Sequence, residues 1–583
     1  MPPTRKLAII AQDPSIRGPD EKILRATVAI PYEDLSPGPR GYRVQVVDYD
    51  ASQRVLYEPA VLNGEDRFAR VADATLLSDP AFHAQNAYAV VMRVLQRFEF
   101  ALGRRLTWGF GGHQINVAPH AFADSNAYYS EEDRGLFFGY FPGGDGKPVF
   151  TCLSHDVIAH EATHALLDGL RDSYTFPSGP DQAGFHEGFA DVVALLSMFG
   201  LPDVVRALLR EKKPGTNQIE KQNLTGEAIR DNVLLGLAEQ FGQETSAFRE
   251  SALRRAVKRP PRKGALQEPD FEECHLRGEI LSAAVLNAFV DVWEQRLASW
   301  LPAMDETVAR DRVVEDGADA AEQLLTMCIR ALDYCPVVDL SFGDFLSALL
   351  TADVETVPDD SKYGYRQALR EQFGRWGIAP SSGVVPKTPK AEAVHRGDVP
   401  EPGAWEHPKE KEQLDYECVH REFMQRDADE VFRFLWDNRR ALRIYEDAYT
   451  RVVSVRPCVR VGPEGFVLRE TVTEYLQLLD LEAGQLKGLA IAKPKAMPDT
   501  TPVRLYGGGV LVFDDFGHLK YHVRSRLDNA QRQSKRLDYL WRNRIKDTQG
   551  RYGFSDGVPE GQRFALMHRR RAGQREQKEE WDG

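Results

Sequence analysis

The sequence predicts an α+β fold with a β-rich N-terminal part, a mainly α-helical part after it and a small α+β domain at the C-terminal end. Up to residue 75, apolar and polar residues alternate between Pro, Gly and Asp residues, which is typical of half-buried strands. From Asp79 and Pro80 onward the apolar residues recur with a helical period. After residue 412, one helix and several strand-like segments share a short region, which indicates a separate α+β unit.

The first two regions are predicted to meet near residue 75. Residues 1–75 contain the strand-like segments "ILRATVAIPYEDL" and "GYRVQVVDYDASQRVLYEP". Residues 76–380 open with the helical pattern "DPAFHAQNAYAVVMRVLQRFEFALG", continue with a strand-like stretch and are mostly helical thereafter. We therefore predict a β-rich region followed by a larger domain.

Residues 381–412 are predicted to be a linker, because they are rich in proline and charge and too poor in large apolar residues to bury a core. Residues 413–583 then read as a helix, the strands "TRVVSVRPCVRV" and "GFVLRETVTEYLQLLDL", a hairpin and a polar helix from Leu527 to about Ile545. We expect this C-terminal α+β domain to have a regulatory or partner-binding role.

Composition and charge exclude several classes of protein. With 42% hydrophobic and 28% charged residues, the chain is an ordinary globular protein. A formal net charge of −13 disfavours a nucleic-acid-binding surface over the whole molecule. We find no export signal and no apolar run of about 18 residues, so we expect a cytoplasmic protein without nucleic-acid or membrane partners. The six cysteines form no CxxC pair, which favours reduced thiols.

The segment "SHDVIAHEATHALLDGL" carries the clearest chemical signal. In a helix, His160 and His164 project from one face a turn apart and can share a metal ion. Glu161 lies about 100° around the helix, where its carboxylate can deprotonate a metal-bound water. The apolar flanks indicate a buried helix, in which unpaired histidines would be costly. An HExxH pattern arises by chance in such a chain with a probability of about 0.02.

A catalytic zinc ion takes three protein ligands and keeps one position open. The next helical pattern, "GFHEGFADVVALLSMFG", places Glu187 23 residues after His164 and Asp191 one turn further on. We predict that Glu187 is the third ligand and that Asp191 accepts a hydrogen bond from the second nitrogen of a ligand histidine. His186 is a competing ligand, although it faces another direction of the helix.

These segments resemble the thermolysin and fungalysin group of zinc peptidases, the gluzincins. "DVIAHEATHALLD" is similar to the active-site helix of that group, and "HEGFADVVAL" to its second helix, in which Glu187 matches the metal ligand and Asp191 the aspartate behind the first histidine. "LSFGDFLSALLTADVETVPDDSKYGYRQALREQFGRWGIAP" is similar to the terminal helices of these domains. The resemblance implies a thermolysin-like metallopeptidase domain over residues 76–380 with one Zn²⁺ per chain.

Two further segments extend the resemblance to substrate and oxyanion binding. "SNAYYSEEDRGLFFGYF" resembles the family's edge strand, which implies that Asn126 and Ala127 bind the substrate backbone. "CHLRGEILSAAVLNAF" resembles the segment with the histidine that stabilises the oxyanion, and His275 matches that residue. Tyr174 lies near the position of the second oxyanion donor, one residue short of the family's spacing.

The sequence also departs from the family. Neither an export signal nor a self-cleaved propeptide is visible, so activation by propeptide removal is not expected. His186 stands where thermolysin has asparagine. The acidic calcium cluster of thermolysin is not recognisable beyond Asp156, so calcium is not expected. Residues 410–583 match no family that we can name.

The residues and the resemblance together predict a zinc metalloendopeptidase that acts on protein or peptide substrates, with Glu161 as the base and His275, helped by Tyr174, as the oxyanion donor. Two alternatives remain open. One is a non-catalytic or autoinhibited zinc-binding regulatory protein, against which an intact Glu161 counts. The other is an aminopeptidase of the same clan, although no GxMEN-like segment precedes the helix.

Overall fold

The computed structural model describes residues 3–15, 22–143, 146–209, 211–225, 227–230, 260–304, 306–382, 401–408 and 413–554. Helices and strands both contribute to these residues, so the predicted α+β class is confirmed. The two largest sheets of the described part have five and four strands, and the first lies in the N-terminal half of the chain, the second near the C-terminal end.

Short strands precede residue 75, as the alternating pattern predicts. β1 and β2 pair with each other in antiparallel orientation, and β2 alternates buried and exposed residues along its length. β3 instead runs parallel to β6 (Ile115–Phe122), so one sheet contains strands from both sides of the boundary predicted at residue 75. The five strands are β1 (Thr4–Ile10), β2 (Arg25–Pro31), β3 (Val44–Val46), β4 (Tyr49–Asp50) and β5 (Val55–Leu56).

The five-stranded sheet has the order β3-β6-β8-β7, with β9 paired to β8. β7 (Ala127–Ser130) is antiparallel to β8 (Gly135–Pro142) and has no second neighbour among the described strands, which makes it an edge strand. An edge strand has one side without a neighbouring strand, and another extended chain can pair there. β9 spans Pro148–Phe150.

Helices follow the sheet and enclose the core. α3 and α4 are buried on nearly all sides; α4 is mostly apolar, whereas α3 also buries polar residues, among them His160, Glu161 and His164. Two short strands, β10 (Gln218–Glu220) and β11 (Thr307–Ala309), pair beside these helices. The helices up to residue 375 are α1 (Asp73–Ser78), α2 (Pro80–Leu102), α3 (His155–Leu170), α4 (Pro180–Phe199), α5 (Pro202–Leu208), α6 (Cys274–Trp300), α7 (Arg310–Ala331), α8 (Phe342–Val354) and α9 (Tyr365–Arg375).

Glycines allow α4 and α6 to approach each other closely. A Cβ atom on Gly188 would lie 2.6 Å from the carbonyl oxygen of Gly278, and one on Gly278 would lie 2.8 Å from the backbone nitrogen of Gly188. Only glycine fits where two backbones are this close. The contact brings the beginning of α6, with His275, next to Glu187 on α4.

The C-terminal region contains the predicted helices and strands. Its sheet is antiparallel with the order β12-β13-β14-β15, and β14 includes the three consecutive glycines of the predicted hairpin. Residues 555–583 of the predicted C-terminal domain lie outside the described residues. The elements are α10 (Ala428–Asp437), β12 (Tyr449–Val461), β13 (Val467–Glu482), β14 (Pro502–Asp514), β15 (Leu519–Ser525) and α11 (Ala530–Arg542).

Buried charges connect this sheet to the helical part. The Arg460 guanidinium contacts both Asp333 and Glu470, and all three side chains are almost completely buried. The hydroxyl of Tyr334 donates to Glu470 at 2.8 Å. In addition, the backbone nitrogen of Val459 donates to the carbonyl of Gly103. The sheet is therefore attached to the helices by paired ions in the interior as well as by apolar contacts.

Part of the predicted linker also contacts the helical part. Residues 383–400 and 409–412 lie outside the described residues, whereas residues 401–408 include Trp405, whose indole donates to the carbonyl of Tyr334 at 2.8 Å.

No single helix of the described part is long and apolar enough to cross a membrane. One pair of helices, Pro180–Phe199 and Pro202–Leu208, is long and apolar enough when taken together, but the two helices meet at a bend of 82°.

Candidate metal centre

Two histidines of α3 lie side by side. The helical rise places His160 and His164 one turn apart, and their rings are perpendicular within a few degrees. The two Nε2 atoms are 2.8 Å apart, and both residues are buried. The structure therefore brings two nitrogen donors to one point, as the HExxH spacing predicts.

Glu187 of α4 completes a group of three residues that could hold a metal ion. Its Oε2 lies 3.6 Å from Nε2 of His160, and its Oε1 lies 3.9 Å from Nε2 of His164. One ligand atom from each of the three residues lies within 4.8 Å of the others. Two imidazole nitrogens and one carboxylate are the ligands of many catalytic zinc sites, so the donor set fits Zn²⁺.

The outer nitrogens of both histidines are already occupied. Nδ1 of His160 lies 2.9 Å from Oδ1 of Asp191, and since a carboxylate only accepts, this nitrogen carries the proton. Nδ1 of His164 lies 2.7 Å from Nδ1 of His186. Such outer partners orient ligand histidines and leave Nε2 for the metal. His186 thus lies behind His164 as a hydrogen-bond partner, away from the three ligand atoms.

Glu161 is fully buried and faces the edge strand of the sheet. Its Oε2 accepts a hydrogen bond from the backbone nitrogen of Tyr129 at 3.1 Å. Tyr129 belongs to β7, which begins at Ala127. The carboxylate next to the first ligand histidine is therefore held between the metal ligands and the strand that is predicted to bind substrate.

Asn126 lies immediately before this strand and is completely buried. Its backbone carbonyl accepts from the nitrogen of Gly139 at 2.8 Å, but its side-chain Oδ1 and Nδ2 have no hydrogen-bond partner among the described residues. An unpaired buried amide costs about 1–3 kcal/mol of stability. A bound ligand is one of the explanations for such a buried unpaired group.

His275 is brought to the metal ligands by the beginning of α6. Its Nε2 lies 3.5 Å from Oε2 of Glu187, and its Nδ1 lies 2.6 Å from Oε1 of Glu273. Burial lowers the pKa of the His275 ring, whereas the acidic neighbours Cys274 and Glu187 raise it, and the net pKa lies well above the usual value. A protonated ring donates hydrogen bonds from both nitrogens.

Tyr174 has a different partner from the one that the resemblance implies. It lies in the 3₁₀ turn Asp172–Thr175, and its buried hydroxyl donates to the carbonyl of Pro336 at 2.6 Å. Its ring packs edge to face against Phe185 in the core. The hydroxyl is engaged inside the protein, so we do not assign it an oxyanion-binding role.

Sequence reasoning missed several groups around the centre. Glu273 caps α6 by accepting from the nitrogen of Leu276, and it also positions His275. The side-chain oxygen before a helical pattern is a recognisable N-cap signal. The hydroxyl of Tyr129 donates to Asp168 of α3 at 2.7 Å, a contact across 39 residues that no local pattern indicates.

No known protein-family model matches this chain, and no curated protein matches it with significance. The geometry of the centre and the chemistry of its residues are therefore the basis for inferring its function.

Proposed function

We propose that the protein is a zinc metallopeptidase with a thermolysin-like catalytic domain, and that it hydrolyses internal peptide bonds of proteins or peptides. The observation that carries the proposal is the buried ligand set of His160, His164 and Glu187 with Glu161 beside it on the same helix. A purely structural zinc site has no use for a buried carboxylate next to its ligands. The combination is typical of metal-assisted hydrolysis.

The three ligand residues would hold one Zn²⁺, which supplies Lewis-acid polarisation of the scissile carbonyl and acidifies water. Glu161 accepts the proton of the attacking water and returns it to the leaving amine. The hydrogen bond from the Tyr129 nitrogen, 3.1 Å long, orients the Glu161 carboxylate for this proton transfer. Asp191 keeps the His160 ring in the orientation that the ligand role needs.

His275 stabilises the negative charge that develops on the carbonyl oxygen. The ring is placed at the centre by its contact with Glu187 and is oriented by the short contact between Nδ1 and Glu273. A fixed donor near a developing oxyanion contributes about 10²–10³ in kcat. Because Tyr174 donates elsewhere, His275 carries this role in the proposal without it.

The edge strand β7 aligns the substrate. An extended peptide can add to an edge strand through backbone hydrogen bonds, and Ala127 begins this strand. The unpaired amide of Asn126 supplies one donor and one acceptor for the backbone of that peptide. Recognition through the backbone suits cleavage within a chain and favours an endopeptidase over an aminopeptidase.

The test is cleavage of casein by the wild type and by Glu161→Gln, with zinc quantified in both proteins. We expect casein cleavage to fall by a factor of about 10³ or more in the variant while the zinc content of the three-ligand site is unchanged, because the base is lost and the ligands remain. Glu58→Gln, at an exposed glutamate, is the matched control and should cleave like the wild type. Equal rates in wild type and Glu161→Gln, or no cleavage by a zinc-loaded wild type, would contradict the proposal.

A further inference from the structure

A second cluster of metal-binding side chains lies outside the centre described above. His83 comes from α2, His120 from β6, and Cys152 from the 3₁₀ turn just before α3. All three residues are buried, and one ligand atom of each lies within 4.8 Å of the others. The proposed peptidase chemistry uses none of them.

The outer nitrogens of both rings have acceptors. Nδ1 of His120 lies 2.7 Å from Oδ2 of Asp48, whose Oδ1 also accepts from the backbone nitrogen of His120 at 3.0 Å. Nε2 of His83 lies 3.1 Å from the carbonyl oxygen of Leu77. Since a carboxylate and a carbonyl only accept, each ring carries a proton on its outer nitrogen. The inner nitrogens of two neutral rings are then both unprotonated.

These inner nitrogens, Nδ1 of His83 and Nε2 of His120, are 2.7 Å apart. Two lone pairs repel at this distance, so either a proton or a metal ion must lie between them. The Nε2 atoms of His160 and His164 are similarly close, at 2.8 Å. A shared proton does not explain why the sulfur of Cys152 lies at the same point, whereas a thiolate is a strong ligand for zinc.

We propose that His83, His120 and Cys152 hold a second zinc ion with a structural role. Imidazole nitrogen and thiolate sulfur are zinc donors, and one buried water molecule completes the four ligands in this proposal. Asp48 and the carbonyl of Leu77 provide the outer hydrogen bonds that orient ligand histidines. Two nitrogens on one tetrahedral zinc ion are about 3.3 Å apart, so binding separates the rings by about 0.6 Å. Cys152 releases its thiol proton to solvent as it binds.

The surroundings of this second cluster suit a structural ion. The ring of Phe150 packs against both histidines, with centroid distances of 4.7 Å to His83 and 5.2 Å to His120. The ring of Tyr57 also packs against His120, with a centroid distance of 4.7 Å. The amide of Asn86 on α2 donates to the carbonyl of Cys152 at 2.9 Å. An ion here would join α2, β6 and the chain that enters α3, and so would position the helix of the first centre.

The test combines zinc counting with cobalt spectroscopy. We expect the dialysed wild type to hold two zinc ions per chain, Cys152→Ser to hold one, and His164→Ala to hold one. After replacement of zinc by Co²⁺, a thiolate coordinates cobalt only at the second cluster, so a sulfur-to-cobalt charge-transfer band should appear in the wild type and in His164→Ala. It should be absent in Cys152→Ser.

Two other cysteines serve as matched controls. Cys328 is as completely buried as Cys152, and Cys274 lies beside His275 near the first centre. Cys328→Ser and Cys274→Ser should each keep the thiolate band and both zinc ions. Loss of the band in Cys274→Ser would assign the thiolate to the first centre and overturn the proposal.

The wild type alone gives a decisive result if a variant fails to fold. One zinc ion per chain with no thiolate band would show that a proton and not a metal lies between His83 and His120. This outcome differs from failure of the peptidase proposal, which concerns cleavage and depends on Glu161. A protein with two zinc ions and no cleavage would keep the second site and remove the first function.

Discussion

The protein contains two buried histidine pairs that are alike in their immediate chemistry. In each pair two ring nitrogens lie less than 3 Å apart, and in each the outer nitrogen of one ring meets an aspartate, Asp191 in the first and Asp48 in the second. They differ in the third member and in the neighbours. The pair on α3 has Glu187 and the edge strand, whereas the pair from α2 and β6 has Cys152 and a lining of aromatic rings.

The different neighbours of the two pairs distinguish a site that could bind a metal ion from one that could also use the ion in catalysis. Both pairs have two ring nitrogens close together and outer hydrogen-bond partners of the kind that orient ligand histidines. Among the described residues, the pair on α3 is the one that lies near Glu161, His275 and the unpaired amide of Asn126, which the proposed function uses as base, oxyanion donor and substrate-binding group. Hydrolysis needs all of these groups within reach of one substrate bond. The following substitutions test this distinction.

The largest effect is expected for His275→Ala. Loss of the donor should lower kcat by about 10²–10³ with little change in KM, because the ring acts on the charge that develops in the transition state. Zinc content should stay at the wild-type value. Steady-state kinetics on an internally quenched peptide measures the effect, and His113→Ala, at an exposed histidine, is the control. A loss of zinc in His275→Ala would assign the residue to metal binding instead.

A smaller effect is expected when the outer aspartates are removed one at a time. Asp191→Ala should weaken zinc binding at the first pair by about 10–100-fold, and Asp48→Ala should do the same at the second pair, because the rings lose the acceptor that orients them. Chelator titration followed by activity reports the first pair. The thiolate band of the cobalt protein reports the second.

The two pairs are not independent if either substitution weakens zinc binding equally at both pairs. Activity that falls with chelator in Asp48→Ala as it does in Asp191→Ala would mean that the two pairs are not independent. Unchanged affinity in Asp191→Ala would mean that His160 does not depend on this hydrogen bond.

The smallest effect is expected for the stability of variants at Asp168, which lies on α3 with the first pair and has Tyr129 as its hydrogen-bond partner. Burial and the charge of Glu131 raise its pKa from 3.8 to about 8. The folded state therefore holds a proton that the unfolded chain releases near pH 3.8, and the free energy of unfolding falls as the pH rises from about 4 to about 8. Asp168→Asn keeps an acceptor for Tyr129 and cannot ionise.

We expect a flatter dependence of stability on pH in Asp168→Asn than in the wild type over this range. Denaturant unfolding of the metal-free proteins at several pH values measures it, and Asp270→Asn, at an exposed aspartate, should keep the wild-type slope. Equal slopes in wild type and Asp168→Asn would show that the carboxyl is ionised when buried.

Local patterns predicted much of the fold around the first pair. α3 covers the HExxH segment, as the helical period indicates, and β7 lies within the stretch that the sequence predicts to be strand-like. The strands of the C-terminal sheet also lie where the sequence predicts them. These periods are local properties of the backbone, so they can be read without the rest of the chain.

Spacing along the chain did not predict the partners of side chains in turns. Tyr174 follows α3 closely in sequence, yet its 3₁₀ turn directs the hydroxyl to Pro336, which is 162 residues away. The region after residue 412 is predicted to be a domain that follows a linker, and its sheet contacts the helices through the buried ion pair of Arg460 and Asp333. Neither contact has a local signal.

The sequence by itself determined that His160 and His164 share a helix face, because the helical repeat places residues i and i+4 together regardless of what surrounds them. It also determined the α+β class and the order of most strands and helices. Only the tertiary structure decided that His186 stands behind His164 and that His83, His120 and Cys152 meet at one point. These contacts join residues that are distant in sequence, so they depend on the close packing of the whole core.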